Sequence, residues 1–147
     1  MSAGHSVTNP LVGVWTLRFA LRKLVATGKT EPLWGEHPGG TLIYTAEGRM
    51  MALVLAEGRQ APAAVVATEA EAAALFRTMV AYSGRYTVEP ERVVHHVENS
   101  WNEKLTGTDI VRFYEIDGTR LTLTTAPGPN PRDGKLSVST MVWERLA

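Results

Sequence analysis

The chain contains no cysteine. That excludes disulfide stapling and thiolate nucleophiles, and leaves histidine and carboxylates as the only ligands for a metal site. It also lacks net charge: 15 basic residues balance 15 acidic ones, so no overall field draws it to nucleic acid or to an anionic membrane. No apolar run approaches the ~20 residues of a membrane span. The polar stretch Met1 to Pro10 carries no apolar signal segment, which leads us to expect a disordered lead over residues 1–10 and a cytoplasmic protein. No Gly-rich phosphate loop and no Gly-x-Ser-x-Gly nucleophile elbow occur. With 147 residues the chain is long enough for one sizeable core, expected over 11–147, and too short for two ordinary domains.

What is present is mostly strand. Leu11 to Arg22 alternates, with Trp15, Leu17, Phe19 and Leu21 on one face and Thr16, Arg18 and Arg22 on the other, the period of a half-buried strand. Leu24 to Gly39, rich in proline and glycine, reads as a long loop carrying Trp34 and His37. Thr41 to Thr45 and Met50 to Leu55 form a hairpin around Ala46 to Arg49. Placing Thr45 opposite Met50 puts Leu42, Tyr44, Met51, Leu53 and Leu55 on one face. An Ala/Pro linker leads to one helix, expected over Glu69 to Tyr82, started by a Thr68/Glu71 capping box and striped by Ala72, Leu75, Phe76, Met79 and Val80. Three strands between Gly84 and Thr125, then Leu136 to Arg145, complete a series of about eight strands with one short helix. The hairpin series predicts a mainly β protein, a closed antiparallel barrel or sandwich.

Hairpin pairing assigns faces, because directly opposed residues share one. A two-residue turn at Pro90-Glu91 sets Val88 against Val93, Tyr86 against His95 and Gly84 against Val97. Extending that face and closing the Asn102 to Gly107 loop symmetrically places Tyr86, His95, Val97, Asn99, Trp101, Val111 and Phe113 inside. It places His96, Glu98 and Arg112 outside, with Glu98 and Arg112 as a surface pair. A one-residue slip in that loop would turn Arg112 and Tyr114 inward. A two-residue Asp117-Gly118 turn favours that slip, whereas a three-residue loop does not.

These residues resemble a family. Leu11-Val12-Gly13-Val14-Trp15-Thr16-Leu17 matches the Gly-x-Trp opening of lipocalin-type barrels. Gly40-x-Leu42-x-Tyr44-Thr45-x-x-Gly48-Arg49-Met50, Ala81-Tyr82-x-Gly84-x-Tyr86, His95-His96-Val97-Glu98-x-Ser100, Gly107-Thr108 and Val142-Trp143-Glu144-Arg145 together resemble the bacterial and fungal lipocalin-like domain family. The chain departs from its pattern at Asn102 to Thr106, where the family usually has a Pro-Asn-Trp-type stretch. The resemblance implies a small closed barrel for a small hydrophobic molecule. It also implies a place among natural-product enzymes, where related barrels act as cyclases or isomerases without a cofactor. In such barrels the tryptophan of the first strand packs at the closed end against an arginine near the last strand, here Trp15 and Arg145.

The chemistry expected from the residues centres on His95 as a buried general acid/base, with Tyr86 orienting it and Asn99 binding an oxyanion. Trp101, Tyr44, Phe19, Leu42, Met51, Val97, Val111 and Phe113 would wall the substrate pocket. A core histidine satisfied by a tyrosine hydroxyl is the competing structural role. No metal site is expected, since His95 and His96 point to opposite faces and His96 with Glu98 supplies two ligands only. Two functions follow: a cofactor-free cyclase, isomerase or lyase acting on a hydrophobic substrate, or a carrier or sensor that only holds the ligand. Neither nucleic acid nor membrane is expected as a partner.

Overall fold

The period-two segments form antiparallel strands, and pairing of the first with the last closes them into a barrel. The computed structural model describes residues 9–130 and 132–146; the lead expected over 1–10 lies outside the described residues up to position 8. The elements are β1 (Gly13–Leu24), β2 (Thr30–Pro32), β3 (Gly39–Tyr44), β4 (Arg49–Leu55), α1 (Glu69–Arg77), β5 (Met79–Val88), β6 (Arg92–Ser100), β7 (Asp109–Asp117), β8 (Arg120–Thr124), β9 (Gly128–Pro129) and β10 (Leu136–Arg145). Hydrogen bonds run in the order β1-β3-β4-β5-β6-β7-β8-β10, and β10 returns to β1. Eight strands therefore make the closed barrel, with β2 added to β1 and β9 to β10. Closure leaves the barrel strands no free edge.

One end of the barrel is filled. Trp15 and Leu11 are fully buried there. The Trp15 indole N–H donates to the Leu11 carbonyl at 2.9 Å. The Arg145 guanidinium lies 4.2 Å from the centre of the Trp15 ring and donates to the carbonyls of Val12 and Pro10, each at 2.7 Å. This is the Trp–Arg packing that the resemblance implied. Tyr86 closes the same end, donating to the Thr45 carbonyl at 2.6 Å and accepting from Asn9 at 2.8 Å.

Two β-bulges reset the side-chain alternation. In β1 the pairing with β10 shifts between Leu17 and Phe19, so Arg18 is the extra residue and every later side chain changes face. Ala20 and Arg22 turn inward and are buried, and Phe19, expected inside, is 36% exposed. In β6 the pairing with β5 shifts where Gly84 meets Val97 and Ser83 meets Asn99, making Glu98 the extra residue. Asn99, expected inside, is therefore exposed, and its amide reaches Ser83 Oγ on the outer face at 3.3 Å. Gly84 makes the β6 bulge possible: a Cβ there would stand 1.9 Å from the His96 carbonyl oxygen, a clash that any other residue would bring.

Three further expectations are corrected. The β3–β4 loop has three residues, Ala46 to Gly48, with Gly48 at φ +91°; the left-handed glycine shortens the turn by one residue. Tyr44 thus faces Met50 and Leu42 faces Ala52, and Met51, expected inside, is 51% exposed. The β6–β7 register pairs Val93 with Arg112 and His95 with Ile110, which turns Arg112 inward and leaves Phe113 44% exposed. Glu98 accordingly pairs with Arg49 at 2.7 Å and Arg85 at 3.1 Å, not with Arg112. The helix ends at Arg77: Thr78 leaves helical geometry at φ −108° and ψ 24°, with its hydroxyl donating to the Ala74 carbonyl. Met79 to Tyr82 belong to β5. The capping box forms as expected, but α1 buries no residue.

Candidate functional site

Opposite the filled end, the barrel holds a cavity of about 380 Å³. Leu42, Val54, Val80, Leu123 and Met141 give it an apolar wall, and the loop from Thr125 to Asn130 forms one side of its mouth. That loop is fastened from within. Arg22, turned inward by the bulge at Arg18, donates to both carboxylate oxygens of Asp133 at 2.9 and 2.7 Å, with Glu31 at 3.8 Å. The bidentate contact holds the Asp133 carboxyl well below the ordinary carboxylate range.

The polar part of the wall is a chain of three side chains. Tyr82 and His95 line the cavity. The Tyr82 hydroxyl meets His95 Nδ1 at 2.8 Å, and the Tyr44 hydroxyl meets Nε2 at 2.6 Å. A neutral imidazole has one nitrogen that donates and one that accepts, so one tyrosine oxygen accepts a hydrogen bond from the ring and the other hydroxyl donates one to it. His95 is 1% exposed, and burial, helped by the positive charges of Arg112 and His96, lowers its pKa to about 3. It is neutral at pH 7. Burial likewise raises the Tyr44 and Tyr82 hydroxyls above their ordinary value, and Arg112 opposes the rise at both.

Arg112 lines the same cavity, half-buried. Its hydrogen bond among the described residues goes to the Val111 carbonyl at 3.0 Å. Trp34 and Trp143, both buried, also line the cavity, and the indole N–H of each is buried without an acceptor. Trp34 sits in the left-handed region at φ +69°, a conformation that costs on the order of 1–3 kcal/mol in a bulky residue. Its carbonyl accepts from Glu57 N at 2.9 Å, and Glu57 Oε1 accepts from Glu36 N and His37 N at 3.0 and 3.1 Å.

The expected site residues fall into three groups. His95, Trp101 and Leu42 line the cavity, whereas Val111, expected inside, lies between the inward-turned Ile110 and Arg112, so that its side chain faces outward and its carbonyl meets Arg112. Tyr44, Val97 and Tyr86 are buried in the core: Tyr44 supports His95 from behind, while Tyr86, directly opposite His95 in the ladder, sends its hydroxyl to Thr45 and Asn9. Tyr86 therefore does not orient the imidazole, and Tyr44 and Tyr82 do. Asn99, Phe19, Met51 and Phe113 lie on the outside. Trp101 turns its indole N–H to the Phe76 carbonyl at 3.1 Å, joining α1 to the mouth. His96, on the outer face, binds Asp109 at 2.9 Å and Thr87 at 2.7 Å. Among the described residues no three His, Asp or Glu side chains stand together as a metal site, and no helix is long and apolar enough to cross a membrane.

Tyr82, Arg112, Trp34 and Trp143 were missed as site residues. The lone glycine at position 84, inside a strand, is the local signal for the β6 bulge. The two-residue turn expected at Asp117-Gly118 forms one position later, at Gly118-Thr119 between the paired Asp117 and Arg120, and its parity is the one that brings Arg112 inside.

Comparison with known proteins places this architecture. A family model described as a lipocalin-like domain matches residues 12–146. No curated protein matches the chain. A solved structure of an uncharacterized protein from Bacteroides eggerthii is similar at 11% identity and a TM-score of 0.47, over 92% of this chain and 98% of that one.

Proposed function

Because the chain belongs to the lipocalin-like domain family, we propose that it holds a small hydrophobic molecule in the open half of its barrel. The observation that carries this reading is the cavity of about 380 Å³, within the range of small-molecule sites and mostly apolar with a few convergent polar groups. The filled end acts as a floor, and the loop fastened by Arg22 and Asp133 forms part of the rim. Native mass spectrometry of the protein purified without denaturant tests it. One small molecule per chain should co-purify with the wild type and be lost from Ala52→Phe, which fills the cavity from its wall. A mass equal to the bare chain, even with candidate apolar ligands in excess, would contradict the reading.

A second reading is favoured by the continuous Tyr82–His95–Tyr44 chain: cofactor-free acid–base catalysis of the cyclase, isomerase or lyase type. His95 alone is a weak base, since charging it at neutral pH runs against a pKa near 3. The chain evades that cost. Tyr82 can give its proton to one atom of a bound substrate and take back the proton that the substrate loses from a neighbouring atom, while His95 stays neutral and holds the hydroxyl in place, so no charge is left on the chain. Turnover of the co-purified molecule or its precursor should fall about 10²–10⁴-fold in Tyr82→Phe. Undiminished turnover in that variant would leave binding alone.

A further inference from the structure

We propose that the molecule held in the cavity is amphipathic, with an oxyanion head that docks on Arg112. This rests on the binding reading above and names the class of ligand. The inward position of Arg112 follows from its pairing with Val93, on the same face as His95 and Ile110. A guanidinium carries five N–H donors and keeps its charge at any working pH, and enclosing it in an apolar wall is unfavourable unless an acceptor meets it.

Other inward or stacked arginines of this chain have such partners. Arg22 holds Asp133 and Glu31, and Arg145 has two carbonyls and the Trp15 ring. Arg112 forms no ion pair among the described residues and bonds only its neighbour's carbonyl. Asp109, the one carboxylate residue among those bordering the cavity, shares the outer face with His96 and is held there by it at 2.9 Å.

The remaining polar atoms point to the same chemistry. The guanidinium supplies the donors, since the indole N–H groups of Trp34 and Trp143 are sealed from the cavity. Tyr82 adds a hydroxyl at the cavity wall. A site rich in donors and poor in free acceptors fits a carboxylate, sulfonate, enolate or phenolate, whose lone pairs match the guanidinium fork. The apolar body would lie against Leu42, Val54 and Leu123.

A matched pair of fluorescent probes tests this: 8-anilinonaphthalene-1-sulfonate and its uncharged parent, N-phenyl-1-naphthylamine, titrated into wild type, Arg112→Gln and Arg92→Gln. The wild type should bind the sulfonate about ten-fold tighter than the parent, as one charge-assisted contact implies. Arg112→Gln should bring that ratio to about one, while Arg92→Gln, altered on the outer surface, should keep it. Equal affinities in the wild type, or a preference that survives Arg112→Gln, would overturn the oxyanion head and leave the apolar cavity standing. Failure of both probes to bind the wild type would overturn the cavity reading along with it.

Discussion

The two ends of this barrel use the same residue types in opposite ways. At the filled end a tryptophan and an arginine satisfy each other and the chain around them: the Trp15 N–H meets Leu11 O, and Arg145 covers the ring while binding two carbonyls. At the open end an arginine lines a cavity with its guanidinium lacking a carboxylate, and two tryptophans of the wall bury their indole N–H groups without an acceptor. Buried polar groups are ordinarily hydrogen-bonded, so the filled end explains itself as structure. The open end is explained by what it is built to hold.

The arginines break this comparison most sharply. Arg145→Met should destabilise the protein by about 1–3 kcal/mol, through lost charge-assisted hydrogen bonds and ring stacking. Arg112→Met should leave ligand-free stability unchanged or raise it by up to ~1 kcal/mol, since an apolar chain replaces a charge that lacks a partner. Chemical denaturation of both variants reads the contrast, and a loss on Arg112→Met as large as that on Arg145→Met would dissolve it.

The centre of the barrel adds a pH signature. Burial lowers His95 from 6.5 to about 3, so between those values the unfolded chain binds a proton that the folded chain does not. The stability present above pH 6.5 is then lost as the pH falls towards 3, at up to about 1.4 kcal/mol per pH unit from this group. His95→Gln should cost about 1–3 kcal/mol at pH 7, because two tyrosine hydroxyls lose their best partner, yet its stability should fall less steeply with acid. Parallel acid limbs in the two proteins would mean that His95 already carries its charge in the folded state.

Smaller effects sharpen the same contrast. Trp15→Phe and Trp143→Phe remove equal ring area, but only the first removes a hydrogen bond. Trp15→Phe should be the more destabilising by about 1 kcal/mol in denaturant unfolding. Smallest of all, Asn99→Ala should stay within about 0.5 kcal/mol of the wild type, as suits a side chain that the β6 bulge turns to solvent. A loss of several kcal/mol there would place Asn99 back inside.

How much of this was legible depends on where the alternation is interrupted. The β5–β6 ladder from Val88 and Val93 to Gly84 and Val97 follows from the Pro90-Glu91 turn, and the structure pairs those residues. The barrel class and the capping box follow equally from local pattern, and the Trp15–Arg145 packing from the family resemblance. Each misplaced residue lies beyond a one-residue irregularity: Phe19 after the bulge at Arg18, Asn99 after the bulge at Glu98, Met51 after the three-residue turn at Gly48, Val111, Phe113 and Arg112 after the loop at 101–108. Strand faces have a period of two, so a single extra residue inverts everything after it. Tyr82 was hidden differently. Met79 and Val80 sit at both helical and strand spacing, and in the fold they pair with Leu55 and Val54 of β4.

The central claim is that the open end is a ligand site rather than a packing defect. Its most direct test is a fluorescence titration of the wild type and Ala52→Phe with N-phenyl-1-naphthylamine, with thermal unfolding of both proteins recorded alongside. The account predicts saturable one-to-one binding to the wild type, loss of that binding in Ala52→Phe, and a variant at least as stable as the parent because the added ring enters empty space. Binding that persists undiminished in a folded Ala52→Phe would contradict it.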